Sequence, residues 1–148
     1  MRKAARAIVI RDDELLVVHR NKFGKKYDTL PGGRIEMGES PEEAVRRELR
    51  EETELEVGEA RLVFVEEAGD PYGTQYIFLC EYKDGEPKLS ADSEEAAINK
   101  LGQNIHEPIW LRIDELNERP FVSEGLKERI MRGYKDSFPE EPEHFTTA

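Results

Sequence analysis

Cysteine is nearly absent from the sequence, because Cys80 is the only one among 148 residues. A lone cysteine excludes an intramolecular disulfide and a zinc site built from cysteines. The chain also lacks an apolar run long enough for a signal peptide or a membrane span, since charged residues interrupt its first segment. We therefore expect a soluble, cytoplasmic protein that makes no contact with membranes.

Basic side chains are outnumbered: 22 Lys and Arg stand against 33 Asp and Glu, for a net charge of −11. A field of that sign repels DNA and RNA backbones, so we expect no nucleic acid polymer as a partner. A small molecule that carries phosphates meets the same repulsion unless a metal cation or a local basic patch intervenes. The alternative is that the acidic residues only keep the protein in solution.

The length of the chain predicts one domain over residues 1–138, and the Pro- and Glu-rich segment 139–148 predicts a disordered tail. Between residues 88 and 107 the sequence is polar and aperiodic, which predicts a long functional or disordered loop. Apolar and alternating segments predict strands, at 3–10, 14–19, 27–30, 59–67, 74–82 and 109–113.

The start of one helix is well marked. Ser40 is a favourable N-cap, Pro41 suits the first helical position, and Glu43 completes a capping box. These signals predict an α-helix over 41–53. A second helix is predicted after Ser123, with apolar residues recurring on one face.

Acidic residues cluster at the end of the first predicted helix. Glu48, Glu51 and Glu52 are spaced i, i+3 and i+4, which places their side chains on one narrow face, and Glu39 precedes the helix. Like charges so spaced destabilise a helix, and the macrodipole disfavours anions at this end. A divalent cation such as Mg²⁺ or Mn²⁺ would remove the conflict. The alternative is a solvated face balanced by neighbouring arginines.

The segment from Gly33 to Leu55 resembles the Nudix box of the Nudix (MutT-like) hydrolase family. Glu54 departs from the pattern, because the family has glycine there. The resemblance implies an α/β protein with the Nudix α/β/α sandwich, in which a mixed β-sheet lies between helices and a loop-helix-loop carries the motif. The matching residues are Gly33, Glu39, Arg47, Glu48, Leu49, Glu51, Glu52 and Leu55.

The resemblance also implies a function: Mg²⁺-dependent hydrolysis of a diphosphate bond in a nucleoside triphosphate or a nucleoside diphosphate derivative, with Mn²⁺ as a substitute. A non-catalytic nucleotide-binding module is the alternative. An isomerase of the isopentenyl diphosphate type would need a catalytic cysteine, whereas Cys80 lies in a predicted apolar strand. The implied catalytic residues are Glu48, Glu51 and Arg47, and the implied metal ligands are the Gly32 carbonyl, Glu39, Glu48, Glu51, Glu52 and Glu95.

The choice of general base stays open between Glu48, Glu51 and a glutamate outside the motif, for which Glu94, Glu95 and Glu107 are candidates. We expect the substrate to be a small nucleotide or nucleotide derivative, and the protein to be a monomer or a homodimer. Candidate contacts to the substrate are Arg34, Phe23, Tyr27 and Glu94. Lys22, Lys25 and Lys26 are further candidates for contacts to phosphates.

Overall fold

The computed structural model describes residues 2–90, 93–99 and 101–147. The described residues form nine strands: β1 Lys3–Ile8, β2 Ile10–Arg11, β3 Glu14–Lys22, β4 Lys25–Thr29, β5 Gly32–Arg34, β6 Glu56–Glu67, β7 Thr74–Asp84, β8 Asn104–Arg112 and β9 Glu143–Thr146. The helices are α1 Pro41–Thr53, α2 Glu94–Asn99 and α3 Glu124–Asp136, with a 3₁₀ helix at Ile113–Glu118.

Helix α1 has the bounds that the sequence predicts. The Ser40 hydroxyl accepts a hydrogen bond from the Glu43 backbone N–H at 3.1 Å, and the Glu43 carboxylate accepts one from the Ser40 N–H at 2.8 Å. This reciprocal capping satisfies two backbone donors at the helix start. At the other end, Glu54 adopts the left-handed conformation with φ of 56°. The backbone geometry that usually favours glycine is therefore retained without a glycine.

Two sheets form the centre of the molecule. The larger one is mixed and has the strand order β5-β1-β7-β6-β9, with β1 parallel to β7 and β6 parallel to β9. The smaller one is antiparallel, and β3 pairs with both β4 and β8. The mixed sheet confirms the predicted fold class, whereas the second sheet was not predicted because its β3–β8 pairing joins segments about 90 residues apart.

The hydrophobic core has two parts, on opposite faces of the mixed sheet. Alternate residues of β1 contribute to different parts, since Ile8 belongs to one cluster and Ala7 to the other. Helix α3 packs on the first cluster through Leu126, and α1 packs on the second through Leu49. This arrangement is the expected α/β/α sandwich. None of the described helices is long and apolar enough to cross a membrane.

Two predicted irregular segments contain regular structure. The segment predicted as a loop at 88–107 includes α2 and the first residues of β8. The segment predicted as a disordered tail includes β9, so that prediction was wrong for the described residues. The physical reason is partial burial of Phe145 against the core. Its ring packs edge-on against Phe64 at a centroid distance of 6.1 Å and lies beneath the Arg129 guanidinium.

Candidate active site

A cleft of about 500 Å³ lies where α1 approaches β1 and β5. Its acidic side, called the acidic wall below, comes mainly from α1, and its basic side, called the basic wall below, consists of arginines on or next to strands. The strands are distant in sequence, so only the fold brings the two walls together. The lining residues used below are Arg2, Arg6, Arg20, Gly32, Gly33, Arg34, Arg47, Glu48, Glu51, Glu52, Glu95 and His106.

Three carboxylates converge on the acidic wall. Oxygens of Glu48, Glu52 and Glu95 all lie within 4.8 Å of one another. Glu48 and Glu52 are one helical turn apart on α1, and Glu95 comes from α2. Glu95 was predicted as a metal ligand from outside the motif, and the structure places it beside the two glutamates of the motif.

Burial sets the protonation of this cluster. Glu52 is only 4% exposed, and its Oε1 accepts a hydrogen bond from the Gly32 backbone N–H at 3.0 Å. Burial raises the pKa of Glu52 well above its ordinary value, and the charge of Glu48 raises it further, whereas Arg6 opposes the shift. Carboxylates in such proximity are therefore difficult to ionise together without a cation.

Gly33 leaves room for the Glu48 carboxylate in this cluster. A Cβ atom added at Gly33 would lie 2.7 Å from Oε1 of Glu48, closer than real Cβ contacts. The matched glycine of the motif therefore allows β5 to approach α1, and this approach positions the Glu48 carboxylate. The carbonyl oxygen of Gly32 was predicted as a metal ligand, and Gly32 lines the same cleft.

Arg47 organises the remaining acidic residues of the motif. Its guanidinium donates two hydrogen bonds to the Glu39 carboxylate, at 2.7 and 3.1 Å, and one to Glu48 at 2.9 Å. A longer bond of 3.4 Å reaches Glu51. These are charge-assisted hydrogen bonds, which are stronger than bonds between neutral groups. This contact lowers the pKa of Glu39, which is not among the cleft-lining residues.

The basic wall was largely missed by the sequence analysis. Arg6 lies on β1 and donates hydrogen bonds to the Gln75 side chain and the Leu30 carbonyl, both at 3.2 Å, and burial lowers its pKa. The Nε atoms of Arg2 and Arg20 are buried and have no hydrogen-bond partner within the described part of the chain. The available signal was Arg6, a charged residue that interrupts the apolar residues of β1 after Lys3.

The residues predicted to contact the substrate lie in different parts of the structure. Arg34 lines the cleft, and Tyr27 lines an adjoining cavity. Phe23 lies in the turn between β3 and β4, is 70% exposed, and lines neither space. Glu94 begins α2, and its side chain lies outside what the structure describes.

Two further candidates lie away from the cleft. Glu107 lines a separate surface cavity beside His19 and Arg119, which removes it from the candidates for the general base. Cys80 is buried in the core next to α1, and burial raises the pKa of its thiol to about 12. A catalytic thiolate at this position is therefore excluded.

The donor set fits a hard divalent cation. Three carboxylates, two of them buried, offer only oxygen ligands, which are the ligands that Mg²⁺ and Mn²⁺ prefer. A bound cation would also offset the repulsion between Glu48 and Glu52. Because arginines line the same cleft, its charges suit a polyphosphate bound together with such a cation.

Comparisons with known proteins agree with this architecture. The 8-oxo-dGDP phosphatase NUDT18 of Danio rerio is 32% identical over 120 residues, covering 79% of this chain and 35% of that protein. The ADP-ribose pyrophosphatase of Methanocaldococcus jannaschii is 37% identical over 103 residues, covering 66% and 61%. A solved ADP-ribose pyrophosphatase of Streptococcus suis is 20% identical and has a TM-score of 0.69, covering 97% and 98%.

The chain spans between about a third and three fifths of the length of the two curated relatives. The solved structure is too distant in sequence to support more than the shared fold. The family model described as the NUDIX domain matches residues 1–132, which is most of the chain. On this match, with the motif folded as a loop-helix-loop around Glu48 and Glu52, the chain belongs to the NUDIX domain family.

Proposed function

We propose that the chain hydrolyses a phosphoanhydride bond in a nucleoside triphosphate or a nucleoside diphosphate derivative, by attack of water at phosphorus with Mg²⁺ as cofactor and Mn²⁺ as a substitute. The observation that carries the proposal is the convergence of oxygens of Glu48, Glu52 and Glu95 within 4.8 Å in a cleft that is also lined with arginines. Relatives named as an 8-oxo-dGDP phosphatase and an ADP-ribose pyrophosphatase support the reaction class.

The acidic wall would hold the metal. Glu48, Glu52 and Glu95 are the proposed ligands, and Glu51, Glu39 and the Gly32 carbonyl are further candidates. When bound, the ion neutralises phosphate charge and lowers the pKa of a coordinated water. Arg47 acts as a positioning residue, because its bonds to Glu39 and Glu48 hold both carboxylates in one orientation.

The basic wall would bind the substrate. Arg2, Arg20 and Arg34 line the cleft, and the buried Nε atoms of Arg2 and Arg20 have no hydrogen-bond partner in the described part of the chain. Of the two motif glutamates considered as general base, Glu51 is the better placed, because its side chain is 41% exposed and accepts only a long bond from Arg47. It would accept the proton of the attacking water.

The test is a product-resolved hydrolysis screen with Mg²⁺, run on nucleoside triphosphates, oxidised guanine nucleotides, ADP-ribose and dinucleotides. Glu52→Gln keeps the size of the side chain and removes a charged ligand, so we expect kcat/KM to fall by at least ~100-fold. Glu42→Gln is the matched control, because Glu42 lies on the exposed face of the same helix and, among the described residues, forms its ion pair with Arg46. Its activity should equal that of the unmodified chain.

Binding of Mn²⁺, measured by electron paramagnetic resonance, gives a second readout that does not depend on turnover. Glu52→Gln should weaken it, and Glu42→Gln should not. Full activity in Glu52→Gln would show that the glutamate has been misassigned. Tight nucleotide binding without any product across the screen would contradict the enzymatic proposal and favour the non-catalytic module.

A further inference from the structure

A second cavity of about 340 Å³ adjoins the cleft. Arg2, Arg6, Arg20 and Thr29 line both spaces, so they form the boundary between them. The inner walls of the second cavity come from β6, β7 and the start of α3. Its volume lies within the usual range for a small-molecule site. A ligand whose phosphates occupy the cleft would extend its other end into this cavity.

Glu66 is the one acidic side chain among the described residues that line the second cavity. It is 3% exposed, and its Oε2 accepts hydrogen bonds from the Ser123 hydroxyl at 2.6 Å and the Thr147 hydroxyl at 2.7 Å. Two donors on one oxygen fix the orientation of the carboxylate. The other oxygen, Oε1, accepts no hydrogen bond from the part of the chain that the structure describes.

A carboxylate oxygen of this kind selects ligands by their donors. An ionised carboxylate only accepts hydrogen bonds, and a buried acceptor left without a donor is costly. A nucleobase that presents N–H groups to Oε1 would satisfy it. A base that presents a ring nitrogen lone pair at the same place would be repelled.

Guanine alone among the common bases presents two adjacent donors, N1–H and the exocyclic amino group, on its pairing edge. Adenine and cytosine place an unprotonated ring nitrogen next to the amino group, and uracil and thymine flank a single N–H with carbonyl oxygens. We propose that Glu66 binds the guanine edge, so that the substrate carries guanine or a derivative that keeps these donors. This proposal rests on the proposed function for the phosphate end of the substrate.

The surroundings of Glu66 suit a planar base attached to phosphates. Tyr27 and Tyr72 line the cavity and offer rings for stacking. Gln75 links Tyr72 to Arg6, one of the residues shared with the cleft. Its amide N–H donates to the Tyr72 carbonyl at 2.6 Å, and its amide oxygen accepts from Arg6 at 3.2 Å. The base would therefore contact Glu66 while the phosphates pass the arginines toward Glu48 and Glu52.

A purely structural role for Glu66 is the competing explanation, since its bonds tie β6 to the start of α3 and to Thr147. Such a role would affect stability and leave base preference unchanged. The first test therefore uses the unmodified chain. Binding of GMP, IMP and AMP is measured by isothermal titration calorimetry without divalent metal. The Kd of GMP should be at least ~5-fold lower than that of IMP, because IMP lacks the amino group, and it should also be lower than that of AMP. Equal affinities for the three would overturn the proposal.

The second test uses Glu66→Gln, which keeps one oxygen for Ser123 and Thr147 and replaces the other by an N–H donor. The substitution should lower the affinity for GMP at least ~5-fold relative to the affinity for AMP. The ratio of the Kd values for GMP and IMP should approach one. The control is Glu67→Gln, an exposed neighbour that accepts a bond from Thr74, and it should leave both ratios unchanged. Unchanged ratios in folded Glu66→Gln would contradict the assignment.

The two proposals fail in different ways. Preferential GMP binding without hydrolysis of any nucleotide would overturn the proposed reaction and support the role of Glu66. Hydrolysis at equal kcat/KM for GTP, ITP and ATP would support the reaction and overturn the base assignment.

Discussion

At the scale of single residues, Arg47 determines how the acidic wall is arranged. Its guanidinium contacts Glu39, Glu48 and Glu51 and also donates to the Arg34 carbonyl at 3.1 Å. A lysine keeps the charge and cannot reproduce these several directed bonds, because its ammonium is a single point of contact. The orientation of the carboxylates therefore depends on the planar fork of arginine.

Arg47→Lys should lower kcat/KM by about 10- to 100-fold and weaken Mn²⁺ binding by a similar factor, as changes in residues that orient metal ligands usually do. Steady-state kinetics and metal titration measure the two effects. Arg46→Lys is the matched control, since Arg46 pairs with exposed Glu42 and the Gly58 carbonyl outside the cleft. Equal losses of kcat/KM and of Mn²⁺ binding in both variants would mean that Arg47 stabilises helix α1 without orienting the carboxylates.

Residue-level prediction from the sequence succeeded where the signal was local. Glu48 and Glu52 lie within one helix whose start and period are evident from adjacent residues, so their shared face follows from spacing. Arg20 and Glu66 lie on different strands and Arg2 directly precedes β1, so their convergence depends on strand pairing between distant segments. Sequence spacing carries no information about such pairing.

At the scale of elements, the end of α1 places a residue with a side chain in a backbone conformation that favours glycine. Glu54 adopts φ of 56°, a conformation in which a Cβ atom is crowded by the backbone. Glycine would relieve this crowding and would lose more conformational freedom on folding, which offsets part of the gain. The expected balance favours glycine.

Glu54→Gly should raise the free energy of unfolding by about 0.5–1 kcal/mol, measured by urea denaturation. Glu56→Gly provides the comparison, because Glu56 begins β6 in an extended segment, where glycine should lower stability by about 0.5–1 kcal/mol. Hydrolysis should be unaffected in Glu54→Gly. A loss of stability in this variant would show that the Glu54 side chain makes a compensating contribution.

Strand β9 depends on tertiary packing, which explains why its sequence suggested a tail. Phe145 packs against Phe64 and beneath Arg129, whereas the neighbouring His144 is exposed. Phe145→Ala should lower the free energy of unfolding by about 1–3 kcal/mol, less than a fully buried phenylalanine would. His144→Ala should change it by less than about 0.5 kcal/mol. Thermal or urea unfolding of the pair tests whether β9 is part of the stable fold.

Elements formed by local signals were predicted with accurate bounds, and elements formed by distant contacts were not. Helix α1 is specified by its capping box and apolar period. Helix α2 has only six residues and packs on β8, so its stability comes from its neighbours rather than from its own sequence. The pairing of β8 with β3 likewise extends the predicted strand 109–113 back to Asn104.

At the scale of the whole molecule, the fold separates charges that the sequence mixes. The net charge is −11, yet Arg2, Arg6 and Arg20 meet at one boundary between two cavities. The sequence predicted that phosphate binding needs a cation or a local basic patch, for which Lys22, Lys25, Lys26 and Arg34 were the candidates. In the structure Arg34 lines the cleft together with Arg2, Arg6 and Arg20, and Lys22 lines the adjoining cavity.

His106 links the cleft to global stability. It lines the cleft beside Arg20, its Nδ1 is buried without a hydrogen-bond partner in the described ranges, and burial with the nearby Arg20 charge lowers its pKa to about 4. In the unfolded chain its pKa is close to 6.5. Between these values the unfolded state binds more protons than the folded state does. Stability contributed by neutral His106 is therefore complete above pH 6.5 and is lost as the pH falls toward 4.

His106→Gln should remove this contribution to the pH dependence. Between pH 7 and pH 4, the free energy of unfolding should fall by about 1–2 kcal/mol more in the unmodified chain than in the variant. This difference is smaller than the full pKa shift would give, because His106 is only half-buried. Urea denaturation at pH 7, 5.5 and 4 measures the difference, and the common titration of the carboxylates cancels in the comparison. His144→Gln, at an exposed histidine of β9, should follow the unmodified chain at every pH. Parallel curves for His106→Gln and the unmodified chain would show that His106 is already solvated in the folded protein.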